Sequence, residues 1–338
     1  MSEMEARIGA YLAHRMPEAS GIAVDELARI YGGSSQETFR LRARWSEHGV
    51  TVEKRLILRR DAPAGLVLAE RDLEYKVYRA LAGQGIPAPE AYFLELDPKW
   101  LDRPFFIMDL MAGKPGNPFG PDDPYEGHGE AVARQFWGIM GRLAALDHRA
   151  LGLTSLRGGE ASAGFWRLEL DRWEAIIDAG EAVIEPIVRG AIRWLRRNPP
   201  AEPAKPGIVH GDYRSGNFLF TPDGRISAIL DWEMCHIGDP LEDVAWGIDP
   251  FWPITRHLPL AAGLAEWQAA SGMRADRTAL DWWRLFSAVK ACAIWTTAEA
   301  ALASGESHEM VVALSGIRAG HFHRKTILAL LREMGEVA

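Results

Sequence analysis

Residues 208–220, IVHGDYRSGNFLF, and residues 226–247, ISAILDWEMCHIGDPLEDVAWG, decide how this chain is read. A carboxylate, Asp212, stands five residues before a carboxamide, Asn217, and a second carboxylate, Asp231, closes an apolar run with the character of a strand. Gly, Asp and Asn are also the common residues of a polar turn, so HGDYRSGN in isolation has that simpler explanation. The strand ending in LDWE makes the pattern specific: a loop holding a base and one metal ligand is joined by a short hairpin to a strand end holding the other ligand. Transfer of a phosphoryl group from a Mg-nucleotide asks a protein mainly for positioning and charge neutralisation, and these residue types in this order supply both.

Composition narrows the alternatives. A chain of 338 residues forms one large domain or two modest ones and can bury a sizeable core in either case. With 48% hydrophobic and 25% charged residues it is an ordinary globular sequence rather than a disordered or fibrous one. A formal net charge of −8 disfavours a broad nucleic-acid or anionic-membrane surface, since both need clustered cations, but leaves room for a small anion held by local donors. Neither nucleic acid nor membrane is therefore expected as a partner. Cys235 and Cys292 make no disulfide framework, which fits a reducing, cytoplasmic location. The N-terminal MSEMEARIGAYLAHRM carries acids and no continuous apolar core, so no signal peptide is expected, and no apolar run reaches the roughly 18 residues of a membrane span.

Upstream, Ile8, Leu12 and Met16 predict a short amphipathic helix over 3–16, stopped by Pro17. From Leu27, LARIYGGSSQETFRLRARW reads as a hairpin whose tip, with Gly33, Ser34 and Ser35, would let backbone N–H groups approach phosphate oxygens. VTVEKRLILRR reads as a strand ending in the cations Arg59 and Arg60. The pattern over 66–81 predicts a helix with Glu70 and Glu74 one turn apart, either of which could meet Arg59. EAYFLEL and RPFFIMDLM add two strands. A Gly/Pro-rich segment over 112–124 marks a boundary, predicting an N-terminal lobe over 1–111 and a chiefly helical lobe over 112–338. Helices are predicted near 129–145, 165–178, 182–197, 260–270, 280–302 and 309–331. Arg193, Arg196 and Arg197 cluster in the last turn of the third, where cations favour the helix dipole. Trp282, Phe286, Val289 and Ala293 share a core-facing stripe, and Cys235–His236 have no third ligand at zinc-site spacing. Asp239 and Glu242 are candidates to cap the helix that follows or to face substrate.

Taken together, the hairpin, the strand-end cation, the helix glutamate, the strand into a boundary and the Asp, Asn, Asp set resemble the aminoglycoside phosphotransferase family, which shares the protein-kinase-like fold with choline kinases. More narrowly they resemble the subgroup containing the kinase-like domain fused to some acyl-CoA dehydrogenases. HGDYRSGN with LDWE is the specific part, and the resemblance covers nearly the whole chain. It implies an α+β, two-lobed fold: a small antiparallel sheet with one main helix, then a larger helical lobe.

Chemistry and resemblance agree on the roles. Asp212 orients the acceptor hydroxyl and takes its proton. Asn217 and Asp231 offer hard oxygen ligands to Mg2+ bound with ATP. Arg214, two residues after the base, is placed to stabilise the charge of the transferring phosphoryl group. His210 shapes the loop by packing and hydrogen bonding. The resemblance further implies that Asp243 holds the catalytic loop's backbone, that Glu74 pairs with Arg59 (Glu70 being the fallback), and that the backbone of Asp109 to Met111 meets the adenine. Arg59 stands where the family often has lysine, keeping the charge but changing the geometry. The expected acceptor is a hydroxyl of a small molecule: a hydroxy acid or hydroxyacyl thioester by the subgroup, an aminoglycoside or amino alcohol by the wider family. Two other readings remain open, a nucleotide-binding pseudokinase and a metal-dependent phosphohydrolase built on His210, Asp212 and Asp231.

Overall fold

The computed structural model describes residues 2–30, 36–61, 71–117, 122–180, 184–305 and 310–336. The hairpin tip with Gly33, Ser34 and Ser35 lies outside them, as does Glu70. Two compact units make up the chain, Met1–Ala112 and Gly113–Ala338.

The first unit contains α1 (Glu3–Arg15), β1 (Ser20–Ile30), β2 (Gln36–Glu47), β3 (Val50–Asp61), α2 (Arg71–Leu81), β4 (Ala91–Glu95) and β5 (Phe105–Asp109). Its strands form one antiparallel sheet in the order β1-β2-β3-β5-β4. Strand β2 shows why: Phe39, Leu41 and Ala43 are buried while the alternate positions Arg40, Arg42 and Arg44 are exposed or half-buried, the two-residue period of a half-buried strand. Helix α1 starts with a capping box between Ser2 and Glu5 and lays Ile8, Tyr11 and Leu12 on Leu56, Leu58, Phe105 and Ile107. One expectation is corrected here. Strand β1 begins at Ser20, ahead of the predicted Leu27, because two register irregularities and a left-handed Glu26 (φ 54°) interrupt the alternation that would have revealed it.

The second unit carries β6 (Lys114–Pro115), α3 (Gly129–Ala145), α4 (Phe165–Gly180), α5 (Pro186–Arg197), β7 (Gly207–Val209), β8 (Phe218–Phe220), β9 (Ile226–Ile229), β10 (His236–Gly238), α6 (Leu241–Gly247), α7 (Leu260–Ser271), α8 (Arg277–Ala303) and α9 (Met310–Glu333). Helix α5 starts at Pro186, later than the predicted 182, with proline in its first turn where a missing N–H costs nothing. Helix α8 starts earlier than predicted, capped by Asp276, whose side chain accepts from the Ala279 amide at 2.8 Å. Trp282, Phe286, Val289 and Ala293 are buried along α8 and form core. Arg196 meets Asp171 and Glu174, a structural use of the α5 arginine cluster. Two small sheets, β6-β8-β9 and β10-β7, hold the connections between the helices. Among the described residues no helix is long and apolar enough to cross a membrane.

Leu58 is fully buried at the centre of the first unit's core. Leu58→Ala is expected to cost about 2–5 kcal/mol, read as a lower urea midpoint for the unfolding of residues 1–112; a change under about 0.5 kcal/mol would place Leu58 outside the core.

Candidate active site

Strand β7 delivers the chain into a loop over 210–217, and the antiparallel pair β8 and β9 returns it. Because Phe218 lies opposite Ile229, and the Leu230 amide donates to the Asn217 carbonyl at 2.8 Å, the hairpin brings Asn217 and Asp231 to the same end. Asp231 adopts the left-handed conformation (φ 72°, ψ 58°), which an aspartate tolerates better than most residues and which is frequent at functional positions. The loop turns at Gly211, φ +82°. A Cβ there would lie 2.5 Å from the Met234 carbonyl oxygen, so only glycine fits.

Asp212 is buried and held by three donors. Its Oδ1 accepts from the Arg214 Nε at 2.9 Å and from the Trp246 Nε1 at 2.7 Å, and its Oδ2 accepts from the Asn217 Nδ2 at 2.5 Å. The same Asn217 nitrogen donates to the Asp212 carbonyl at 2.9 Å. With its nitrogen committed to two acceptors, the Asn217 amide turns its oxygen the other way. A hard amide oxygen beside a carboxylate at the neighbouring strand end suits Mg2+, so the residues present fit that ion. Arg214 also donates to the Ser215 carbonyl at 3.1 Å and lies 5.1 Å from the Trp252 ring centroid.

The loop is held from beneath. Asp243, in the first turn of α6, accepts from the His210 and Gly211 amides at 2.7 and 2.9 Å. Burial pushes its carboxyl up to about 7, against the pull of those two donors. His210 accepts the Asp212 amide proton on Nδ1 at 3.1 Å and, so arranged, donates from Nε2 to the Leu230 carbonyl at 2.9 Å. Burial holds its ring down at about 4, so it is neutral. Lys290 of α8 donates to the Gly211 carbonyl and, at 2.9 Å, to Glu242.

Glu242 departs from its expected place. It does not cap α6: fully buried, it also accepts from His236 Nε2 at 3.1 Å. Burial pushes the Glu242 carboxyl up, but Lys290 and His236 outweigh it and hold it well below the ordinary range. Asp239 accepts from the Leu241 amide and from the Trp283 indole, at 2.9 and 2.8 Å, and so supports the start of α6. Glu169 approaches within 4.8 Å of His236 and Glu242, supplying from α4 a third group that sequence spacing hid. Arg157 pairs with Glu169 as Lys290 does with Glu242, so the two carboxylates are already neutralised by side-chain cations. This trio is an ion network rather than a metal centre.

Three contributors escaped the sequence reading: Trp246, Trp252 and Lys290. The signal was present in part, since Trp246 stands three residues after Asp243 on the same short helix. Lys290 stands in a run of α8 that otherwise reads as core.

In the first unit, Arg59 at the end of β3 forms an ion pair with the buried Glu74 of α2. The Asp109 side chain accepts from the Tyr92 hydroxyl at 2.8 Å. The Asp109 amide donates to the Glu90 carbonyl and the Leu110 amide to the Arg55 carbonyl, each at 3.0 Å. Of the amides at 109–111, this leaves Met111 as the one available to a ligand among the described residues.

Known proteins resemble this chain in sequence and in fold. A family model described as "Phosphotransferase enzyme family" matches residues 26–283. A probable acyl-CoA dehydrogenase of Arabidopsis thaliana is 32% identical over 206 residues, 57% of this chain and 24% of its own length. Acyl-CoA dehydrogenase family member 11 of Gallus gallus is 30% identical over 189 residues, 55% of this chain and 24% of that protein. The chain thus spans about a quarter of the length of these two relatives. Among solved structures, a putative aminoglycoside phosphotransferase from Ralstonia eutropha superposes with a TM-score of 0.72 at 21% identity, covering 97% of this chain and 98% of that one. An aminoglycoside phosphotransferase in ternary complex with ADP and hygromycin B superposes at 0.62 with 18% identity, covering 96% and 98%. The likeness in fold therefore extends over both units.

The neutral, buried His210 makes a pH prediction. Its folded value, about 4, lies below the ordinary 6.5, so its contribution is complete above the higher value and is lost as pH falls through the window between them. In urea unfolding, the wild type should lose about 3 kcal/mol relative to His210→Gln between neutral pH and pH 4. Parallel stability curves for the two proteins would mean that the ring is not held neutral.

Proposed function

The chain belongs to the phosphotransferase enzyme family, and from that premise we propose that it transfers the γ-phosphate of ATP, bound with Mg2+, to a hydroxyl of a small molecule. The observation that carries the reading is the Asp212 carboxylate, fixed by three donors and hydrogen-bonded to Asn217, a residue that the β8–β9 hairpin brings to the same end as Asp231.

In this mechanism Asp212 orients the acceptor hydroxyl and receives its proton as the oxygen attacks the γ-phosphorus, the bond to the bridging oxygen breaks and ADP leaves. Asn217 and Asp231 would hold the metal, which when bound neutralises charge on the nucleotide oxygens. Arg214, already anchored to Asp212 and Ser215, has the remaining edge of its guanidinium to offer the transferring group. Arg59 is the cation the first unit offers to nucleotide phosphates. Its pairing with Glu74 restrains an arginine that replaces the commoner lysine. The Met111 amide is the donor for a planar base, with Asp109 contributing backbone beside it; Gly33, Ser34 and Ser35 remain the proposed phosphate-approaching tip. In this assignment residues 1–111 bind nucleotide and residues 112–338 carry catalysis and the acceptor.

Similarity to acyl-CoA dehydrogenase relatives supports a hydroxy acid or hydroxyacyl thioester as acceptor. The fold neighbour with bound hygromycin B supports an aminoglycoside or amino alcohol as the second choice. A phosphohydrolase using His210 is disfavoured, because both ring nitrogens are engaged and the ring is buried. A pseudokinase is disfavoured by the intact Asp212, Asn217 and Asp231.

The test is Mg-dependent ATP turnover over a panel of these hydroxyl compounds. Asp212→Asn should lower turnover roughly 100- to 10,000-fold, and Asp231→Ala should remove the Mg-dependent part of the rise in Tm caused by ATP. Nucleotide binding with no turnover for any acceptor would favour the pseudokinase. Phosphate release from a monoester without nucleotide would favour the hydrolase.

A further inference from the structure

The donors around Asp212 are unevenly shared. A carboxylate has about four lone-pair positions, two on each oxygen. At Oδ1 both are taken, by Arg214 Nε at 2.9 Å and Trp246 Nε1 at 2.7 Å, whereas among the described residues Oδ2 accepts only from Asn217 Nδ2. The unused position therefore belongs to Oδ2, the oxygen beside Asn217.

The side chains that occupy Oδ1 hold one another in place. The Trp252 indole N–H donates to the Trp246 carbonyl at 2.7 Å, and the two rings pack with centroids 4.8 Å apart. The Arg214 guanidinium lies 5.1 Å from the Trp252 centroid. A closed circuit results, running from Asp212 to Trp246, to Trp252, to Arg214 and back to Asp212. On the other side, the Lys290 ammonium sits 4.8 Å from the Trp246 centroid while donating to the Gly211 carbonyl, so one buried cation steadies both the indole and the backbone next to Asp212. Trp246 is itself 1% exposed. A buried indole N–H needs an acceptor, and the one it has is the proposed base.

We propose that Trp246 is a positioning residue for Asp212: its indole N–H, with Arg214, closes Oδ1 and sets the carboxylate plane, so that the acceptor's proton is received at Oδ2. The proton step rests on the phosphotransfer reading above; the hydrogen bond does not. In that step the acceptor O–H proton passes to Oδ2, the acceptor oxygen bonds to the γ-phosphorus, and the bond to the β–γ bridging oxygen breaks with its electron pair leaving on ADP. Trp246, buried and bonded to Asp212, acts through the carboxylate. A carboxylate free to rotate about its last torsion would spend much of its time out of line with the hydroxyl, and misplacement of about 1 Å can cost roughly 100-fold in rate.

Trp246→Phe keeps the ring against Trp252 and Lys290 and removes the donor. In the full chain this variant is expected to lower kcat roughly 10- to 100-fold while the KM for ATP changes less than about threefold. Trp246→His, which can restore a ring N–H, should recover part of the loss and also serves if the phenylalanine variant folds poorly. The deciding comparison is a cycle with Asp212→Asn: if Trp246 works through Asp212, adding Trp246→Phe to Asp212→Asn should slow the reaction no further. An equal loss on both backgrounds, or none in the otherwise wild-type protein, overturns the proposal. A second measurement needs no activity. The Trp246 indole proton, identified by its disappearance in Trp246→Phe, should shift in the NMR spectrum on Asp212→Ala, and an unmoved resonance would equally overturn it. Absence of wild-type turnover with a responsive indole would instead overturn the phosphotransfer reading and the proton step, leaving the bond between Trp246 and Asp212 standing.

Discussion

Asp243 accepts the amide protons of His210 and Gly211 from a position with almost no exposure to solvent. Most features of the candidate site depend on that pair of bonds. A loop that carries a reactive side chain has few backbone partners of its own, and unpaired amides in a buried place would cost about 1–3 kcal/mol each. One carboxylate satisfies two of them and fixes the peptide planes from which Asp212 projects. Gly211 permits the left-handed turn between them, and the His210 ring then bridges the Asp212 amide to the Leu230 carbonyl, tying the loop to the chain that leads to Asp231.

The carboxylate that holds the loop is itself expensive to bury, and the surroundings reflect this. Next to it in sequence, Glu242 is fully buried and neutralised by Lys290, with His236, Glu169 and Arg157 extending the network to α4 and β10. Removing one partner from such a network leaves an uncompensated buried charge, costing about 3–5 kcal/mol. The network is therefore better understood as fixing the geometry of α6 against α8 and the loop than as a net source of stability. Lys290 joins it to the site directly, through the Gly211 carbonyl and the face of Trp246.

Much of this was legible in the residues. The spacing of Asp212, Asn217 and Asp231, the hairpin that becomes β1 and β2 and the stripe of α8 are local patterns, and local patterns survive in sequence because the strand and helix periods impose them. The helical pattern offered Glu70 or Glu74 as a partner for Arg59 and the resemblance chose Glu74; that ion pair is present. Less was legible where long-range packing overrode local signals. The start of β1 was hidden by irregular pairing, Glu242 was misread as a cap or a substrate contact, and His236 gained in Glu169 a neighbour far upstream. The seven residues of α6 present Asp243, Glu242 and Trp246 to three different partners, and no periodicity announces such a division.

By itself, then, the sequence determined the order of the elements and the identity of the groups able to do chemistry, because strand alternation, helical stripes, turn residues and ligand type are properties of short segments. Only the tertiary structure decided how those groups are aimed. Which oxygen of Asp212 stays open depends on a tryptophan 34 residues away, and the loop beneath it rests on a lysine 79 residues from Gly211. Hydrogen bonds act over about 3 Å whatever the separation along the chain, so contacts of this kind exist only once the packing of α6 and α8 has brought their side chains to the loop.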